Sequence, residues 1–282
     1  MTSSSAILSR TPPIEKRAPL GAVRLIEALG RAARRGLEAV GRTADFVVTA
    51  IQAIGEVRTW APSTMLQMRR LGVDSLPIGI FIAVFTGVVL ALLASYSFTG
   101  AVPMYFVGTL VEKTITMELA PVLTGLALAG RVGANIAAEL GTMEVTEQID
   151  ALETLAYDPY AYLVVPRVIA GATMFPIVVG AAMLTGVASG WVASVGLLDM
   201  SSPDFVKGLR LFFSAFDVRY GLVKAASFGC AVTLIGCQRG LTTRGGAEGV
   251  GRAATSAVVY SAIMILMLDA FWAIVWLLGR QQ

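Results

Sequence analysis

Two long stretches without a charged residue constrain the fold of this 282-residue chain more than any other feature. Residues 75–111 and residues 168–198 contain no Asp, Glu, Lys or Arg. A helix needs only about 20 apolar residues to cross the hydrocarbon core of a bilayer. Each stretch is therefore long enough to hold a membrane-spanning helix, and the sequence predicts an integral membrane protein.

The composition supports this fold class. Hydrophobic residues make up 56% of the chain and charged residues only 15%, which is too little polar surface to cover a soluble domain. Three further apolar segments contain only one or two charges each. We therefore expect an all-α integral membrane protein with five transmembrane helices, near residues 75–97, 114–138, 160–198, 220–238 and 253–279.

The N-terminal part of the chain is polar and basic. Residues 1–18 are rich in Ser, Pro and Arg, which predicts a disordered tail rather than a cleavable signal peptide. From about Leu20, polar residues recur every three or four positions and apolar residues occupy the other side. This pattern predicts an amphipathic helix over residues 19–60, whose basic face lies along anionic headgroups. A helix packed on a soluble partner is the alternative.

The distribution of Lys and Arg indicates the orientation. Residues 1–74 contain 11 of the 22 basic residues, and the loop 239–252 adds three more. Basic residues near the ends of spans stay in the cytoplasm, so the N-terminus is predicted to be cytoplasmic. Five crossings then place the C-terminus on the periplasmic side. The loop 199–219, predicted to be external, also has three basic residues, which weakens the asymmetry.

Three ionisable residues stand alone inside predicted spans: Glu118, Lys224 and Asp269. A charge at mid-bilayer depth costs at least about 2.5 kcal/mol, so each is either buried among helices or functional. Lys224 is expected to pair with Glu118 or with Asp269, because opposite charges on different spans compensate one another. Such a pair either fixes helix packing or lines a polar pocket.

A second polar group is predicted near the cytoplasmic end of the second span. Arg131 lies in the segment GRVGAN, whose small residues allow another helix to approach closely. Asn135 supplies a hydrogen-bonding side chain, and Glu139 follows Arg131 by eight residues. We expect a structural salt bridge between Arg131 and Glu139.

The segment after the second span, residues 144–157, is too short and too charged to cross a bilayer. Thr146 is predicted to cap a short helix, and the following acidic residues favour its positive N-terminal end. Apolar positions line one side of this helix and acidic positions the other, so it should lie at the cytoplasmic surface and present one face to a partner. The residues expected to form the contact are Glu144, Thr146, Glu147, Ile149, Asp150 and Leu152.

Nothing in the sequence predicts an enzyme. The phosphate-binding pattern GxxxxGK[ST] is absent, and the chain has no His for a Ser-His or Cys-His pair. The lack of His also removes the commonest metal ligand. Cys230 and Cys237 lie on one predicted helix and are expected to be packing residues. We expect no catalytic residue, no metal site and no cofactor bound by this chain.

Four segments together form a specific set of motifs: MELAPVLTGL (117–126), LAGRVGANIAAELGTMEVTEQIDALETL (128–155), DPYAYLVVPRVIAG (158–171) and GVGRAATSAVV (249–259). They closely resemble the MlaE/YrbE-type permeases, the membrane subunits of ABC transporters that move lipids between bacterial membranes with MCE-domain proteins. The likeness covers most of the chain from about residue 60 onward.

The resemblance implies an architecture and partners. A basic elbow helix would precede a five-helix permease domain at residues 61–282, working as a homodimer with two cytoplasmic ATPase subunits that bind ATP and Mg²⁺. Residues 144–157 would form the coupling helix that docks on the ATPase. Glu118, Lys224 and Asp269 align with intramembrane charged positions in the dimer cavity, where a lipid headgroup could be held.

We therefore expect a permease subunit in a bacterial inner membrane. It would move lipids, chiefly phospholipids, between that membrane and the outer envelope layer, with a periplasmic MCE-domain partner and no nucleic acid. Two other functions stay open from the sequence. One is a proton-coupled secondary transporter in which Glu118 and Asp269 carry protons, and the other is a non-transporting scaffold of an MCE assembly. Dependence of transport on ATP would distinguish the lipid permease of an ABC transporter from the proton-coupled transporter.

Overall fold

The computed structural model describes residues 20–98 and 102–279, and every regular element in these ranges is helical. The predicted disordered tail, residues 1–18, lies outside the described residues. Five helical segments are long and apolar enough to cross a membrane, which confirms the predicted all-α membrane fold. These spans are Val57–Ser97, Phe106–Val145, Tyr160–Leu197, Ala215–Leu241 and Gly246–Val275.

The α-helices are α1 (Leu20–Ala53), α2 (Val57–Leu71), α3 (Leu76–Ser97), α4 (Phe106–Thr114), α5 (Ala120–Leu128), α6 (Ala134–Val145), α7 (Gln148–Thr154), α8 (Val165–Leu197), α9 (Ser202–Leu211), α10 (Ala215–Leu241) and α11 (Gly246–Gly279). The second span combines α4, α5 and α6. The short helices α7 and α9 flank the third span, so they lie at opposite ends of the bundle, here called the α7 end and the α9 end.

The contacts divide the chain into two units, with the boundary after Phe46. In the described part of the first unit, α1 is a continuous helix, and Arg34 Nε donates to Glu38 Oε1 one turn later at 2.9 Å. Its apolar residues Leu37 and Val40 are exposed. In the second unit the chain turns after α1, where Trp60 Nε1 donates to the carbonyl of Ile54 at 2.9 Å.

The third span packs closely on its neighbours because glycines face one another. A Cβ atom on Gly87 of α3 would lie 2.0 Å from the carbonyl oxygen of Gly186 on α8, and one on Gly229 of α10 would lie 2.2 Å from that of Gly171 on α8. Only hydrogen fits at these positions. The small residues of α8 therefore hold α3 and α10 against it within one chain.

Three π-helical turns interrupt the second span and begin the third: Ile115–Leu119, Ala129–Gly133 and Tyr160–Val164. The first ends two residues before Pro121 and the last two residues before Pro166. A proline has no N–H, and its ring clashes with the carbonyl four residues earlier in a regular α-helix. Single π turns of this kind occur often at functional sites.

The second span begins earlier than the sequence predicted. Its helix begins at Phe106 rather than near residue 114, so Glu112 and Lys113 lie inside the helix. Lys113 forms an ion pair with Asp217 at the start of α10. This ion pair compensates the charge of Lys113, so the residue is tolerated inside the helix.

Candidate functional site

Lys224 is the centre of an ionic cluster inside the bundle. Its side chain has 0% exposure, and Nζ lies 2.7 Å from Oε2 of Glu118 and 2.5 Å from Oδ1 of Asp269. The prediction that Lys224 pairs with Glu118 or Asp269 is confirmed, and it pairs with both. We call these three residues the central triad.

The backbone of the first π turn supplies a third acceptor. In a regular α-helix the carbonyl of Met117 would accept from the N–H of residue 121, but Pro121 has none. Lys224 Nζ donates to this carbonyl at 3.3 Å and also lies 5.4 Å from the centre of the Tyr220 ring. An ammonium has three N–H donors, so each one has an acceptor nearby.

The central triad lies near the middle of its spans. Lys224 is about nine residues, or roughly 14 Å, from the start of α10 at the α9 end. Glu118 is about 12 residues from the start of α4, and Asp269 about ten from Gly279. These distances match about half the thickness of a 30 Å hydrocarbon core.

The two carboxylates of the triad are accessible although the lysine is not. The side chain of Glu118 is 45% exposed and that of Asp269 is 25% exposed. The triad also combines two acidic groups with one basic group, so its accessible surface is negative. Because a charge facing lipid chains at this depth is costly, this surface must meet water or another polypeptide.

Aromatic residues on α10 and α11 fix the backbone around the triad. Trp272 Nε1 donates to Ser227 Oγ at 3.0 Å, and Ser227 Oγ donates in turn to the carbonyl of Lys224 at 2.7 Å. The rings of Tyr220 and Trp272 meet edge to face with centroids 6.4 Å apart. These contacts hold α11, and with it Asp269, against α10.

A second ionic cluster lies toward the α7 end and joins three helices. Glu139 of α6 approaches Arg167 Nη2 of α8 at 3.1 Å and Arg70 Nη1 of α2 at 3.4 Å. Arg167 is buried, and its Nη1 donates to the carbonyl of Leu163 at 2.6 Å. We call Arg70, Glu139 and Arg167 the joint cluster.

The predicted salt bridge between Arg131 and Glu139 is wrong. Eight residues along a helix correspond to about 12 Å, so a neighbouring helix offers closer partners than the same helix does. Arg131 Nη1 instead donates to the carbonyl of Asp74, between α2 and α3. Arg131, Asn135 and Glu139 do come together, because all three line a polar cavity of about 350 Å³ beside α2.

The short helix after the second span is present, but its start differs from the prediction. Helix α7 runs from Gln148 to Thr154, and Glu147 precedes it in a left-handed conformation with φ 59°. Thr146 is not the N-cap, because it still belongs to the end of α6. Its Oγ1 donates to the carbonyl of Thr142 at 2.7 Å and accepts from Gln148 Nε2 at 3.0 Å.

The other end of α7 is closed by two backbone hydrogen bonds. Tyr157 N donates to the carbonyl of Leu152 at 3.1 Å, and Ala156 N to that of Glu153 at 2.9 Å, with Ala156 left-handed at φ 60°. This is the Schellman arrangement, which usually places glycine where Ala156 stands. The segment 147–156 is therefore a short, well-defined helical segment between two tight turns. We call it the α7 projection.

The candidate contact residues lie on different sides of this projection. Ile149 is buried and anchors α7, while Leu152 and Glu144 are half-buried. Glu147 and Asp150 are exposed, and Leu155 just after α7 has 68% exposure. The projection therefore offers an acidic surface with an apolar side chain to a partner.

Sequence reasoning missed Arg70, Arg167, Glu112, Lys113 and Asp217. Arg167 directly follows Pro166 at the start of an uncharged run, and this isolated charge was a usable signal. Glu112 and Lys113 were read as the boundary of a span. Within the described residues, no group of three or more His, Cys, Asp or Glu could hold a metal ion.

Comparison with known proteins extends these observations. A family model described as Permease MlaE matches residues 64–275. A probable ABC transporter permease protein of Rickettsia bellii is 40% identical over 243 residues, which cover 86% of this chain and 94% of the relative. A probable ABC transporter permease protein of Synechocystis is 42% identical over 209 residues, covering 74% of this chain and 80% of the relative. The chloroplastic protein TRIGALACTOSYLDIACYLGLYCEROL 1 of Arabidopsis thaliana is 34% identical over 207 residues, covering 73% of this chain and 59% of the relative.

Proposed function

Because this chain belongs to the MlaE permease family, we propose that it is the permease subunit of an ABC transporter that moves lipids, chiefly phospholipids, between a bacterial inner membrane and the outer envelope layer. ATP is hydrolysed on a separate cytoplasmic subunit, and a periplasmic MCE-domain protein exchanges the lipid. The name of the Arabidopsis relative contains that of a galactolipid, which supports a lipid as the class of substrate.

The accessible carboxylates of the central triad are the observation that carries this proposal. Glu118 and Asp269 are open to the surface of a single chain at mid-span, where lipid contact is unfavourable. A second copy of the chain facing this surface would enclose a cavity with polar groups at its middle and apolar walls around them. The polar groups of such a cavity would suit the headgroup of a phospholipid, and its apolar walls would suit the acyl chains.

The charge of the triad suggests which part of a headgroup it binds. Lys224 has no exposed surface, so a headgroup in the cavity meets the carboxylates rather than the ammonium. A carboxylate accepts hydrogen bonds from an amine or a hydroxyl and repels a phosphate. We infer that the triad binds the positive or hydroxylated end of a headgroup.

The α7 projection is the proposed contact with the ATPase. Under the predicted orientation, the α7 end and the N-terminus are cytoplasmic, whereas the C-terminus and the α9 end are periplasmic. Because α7 is short and closed at both ends, a push on Leu155 or Asp150 is transmitted to α6 and to the rest of the second span. That span contains Glu118, so a movement of the ATPase can change the cavity.

Lipid identification and transport measurements test the cavity. The chain is purified with its native partners, the bound lipid is identified by mass spectrometry, and ATP-dependent transfer of a labelled phospholipid between liposomes is measured. We expect Glu118→Gln to assemble normally but to lose at least about tenfold in transfer, because the variant lacks one of the two accessible charges. Phe81→Leu, an exposed apolar substitution on α3, is the control. Transfer that needs a proton gradient and no ATP would contradict the proposal.

Coupling between the permease and the ATPase is tested by making the same substitution, Leu to Asp, at each end of the bundle. Leu155→Asp at the α7 end places a charge on the proposed contact, and we expect it to abolish stimulation of the ATPase. Leu211→Asp changes an exposed leucine of α9 at the opposite end and is expected to leave the ATPase rate unchanged. If both substitutions changed the ATPase rate equally, α7 would not be the coupling element.

A further inference from the structure

A separate cavity lies near the α9 end, between α4, α8, α9 and α10. Its volume is about 580 Å³, within the range of small-molecule binding pockets. The central triad does not contribute to its lining. The wall is formed mainly by apolar side chains, among them Met183, Leu184, Val187, Phe205, Val218 and Leu222.

Helix α9 covers one side of the cavity and is in close contact with the spans. A Cβ atom on Gly208 of α9 would lie 1.7 Å from the carbonyl oxygen of Tyr105, so only glycine allows this crossing. Thr109 Oγ1 donates to the carbonyl of Gly208 at 2.6 Å, and Trp191 Nε1 donates to Ser202 Oγ at 3.1 Å. Close packing and two side-chain hydrogen bonds therefore hold α9 in place over the cavity.

Among the described residues that line this cavity, Glu112 is the charged one. The residue is only 3% exposed, and neither oxygen of its carboxyl group has a hydrogen-bond partner among the described residues. The neighbouring Lys113 forms its ion pair with Asp217 rather than with Glu112. A buried carboxyl group without a partner is unfavourable, so a ligand that supplies a donor would be favoured at this position.

The place of Glu112 along its helix gives the depth of the site. It lies about six residues, or roughly 9 Å, from the start of α4 at the α9 end. The mouth of the cavity includes the exposed residues Leu184 and Ala188, on the apolar surface of α8. An amphiphile in the adjacent leaflet could therefore enter sideways, with its head near Glu112 and its chain along α8.

We propose that this cavity binds one hydrocarbon chain of an amphiphile whose head donates a hydrogen bond to Glu112, as a hydroxyl or an ammonium group does. A phosphate or carboxylate head is disfavoured, because burying an anion in this apolar lining is costly and Glu112 supplies no positive charge to compensate it. The site is distinct from the cavity proposed between two copies, and its occupancy needs neither ATP nor transport.

The test uses three photoreactive probes with the same 16-carbon chain, each with a diazirine on the chain. One ends in a hydroxyl, one in an amine and one in a methyl group. The full chain in lipid nanodiscs is irradiated with each probe, and labelled residues are mapped by mass spectrometry. We expect labelling around Met183, Trp191 and Phe205 at least fivefold stronger for the alcohol or the amine than for the alkane. The stronger of the two identifies the preferred head.

Variants of the cavity complete the experiment. Glu112→Leu should lower labelling by the polar probes to the level of the alkane, whereas Glu112→Gln should keep the preference for the alcohol. Ala188→Trp should block the mouth and suppress all three probes, and Val192→Trp, an exposed change on the same helix, should not. Equal labelling by the three probes, or a preference that survives Glu112→Leu, would overturn the proposal. If Glu112→Leu does not fold, the probe comparison on the unmodified chain and on Ala188→Trp still decides.

Discussion

The central triad and the joint cluster each surround one charged side chain with two of opposite sign, but the signs are reversed. The triad places one buried cation, Lys224, between two carboxylates, whereas the joint cluster places one carboxylate, Glu139, between two guanidinium groups. In the triad the cation is enclosed and the anions are accessible. In the joint cluster Arg167 is enclosed, while Glu139 and Arg70 are about half exposed.

In both clusters the buried basic side chain also donates to a backbone carbonyl of a π-helical turn. Lys224 donates to the carbonyl of Met117, and Arg167 donates to that of Leu163. Both carbonyls belong to π-helical turns that precede a proline. The difference lies in depth, because the triad is near mid-span and the joint cluster is toward the α7 end. Lys224 is fully enclosed between its two carboxylates, whereas Glu139 is about half exposed and bonds a second, exposed arginine. We therefore expect the triad to tolerate the loss of its cation far less than the joint cluster does.

The largest effect is expected from Lys224→Met. Removing the buried cation leaves two carboxylates close together without compensation. Removing one partner of a fully buried ion pair costs about 3–5 kcal/mol, and the partial exposure of Glu118 and Asp269 makes this the upper value here. Thermal unfolding of the purified protein, together with the yield of monodisperse protein, measures the loss. The triple variant with Glu118→Gln and Asp269→Asn removes all three charges and should recover most of the stability. A Lys224→Met protein as stable as the unmodified one would show that the accessible carboxylates are fully hydrated.

Arg167→Met should have an intermediate effect. Its guanidinium group is buried and bonds both Glu139 and the carbonyl of Leu163, but Glu139 keeps Arg70 and access to water. We expect a loss of about 1.5–3 kcal/mol, typical of hydrogen bonds to a charged group. The same thermal unfolding measurement applies. A loss as large as that of Lys224→Met would abolish the proposed distinction between the two clusters.

Arg70→Ala should have the smallest effect. The side chain is 51% exposed and its nearest approach to Glu139 is 3.4 Å, so the pair is weak and screened. We expect a change below about 1 kcal/mol that shrinks further at high salt. Unfolding of this variant at low and high ionic strength measures both properties. A loss that is large and independent of salt would mean that Arg70 is a structural member of the joint cluster.

Much of the fold could be predicted from single residues and their spacing. Long uncharged runs predicted the spans, because few other structures accommodate them, and the triad was predictable since three isolated charges inside spans have few possible partners. The start of α7 was less predictable, since Thr146 could be the N-cap of α7 or the C-cap of α6, and it is the latter. Glu139 was paired with a residue of its own helix, whereas its partners come from α2 and α8.

The sequence by itself determined that this chain crosses a membrane as helices, that Lys224 needs acidic partners, and that a short acidic segment follows the second span. These properties depend on local hydrophobicity and on the cost of an unpaired charge, which residue types alone specify. Only the tertiary structure decided that Lys224 is enclosed while Glu118 and Asp269 are accessible, and that Glu112 beneath α9 has no hydrogen-bond partner among the described residues. Exposure and pairing depend on how helices far apart in sequence pack together, and residue spacing along one helix does not contain that information.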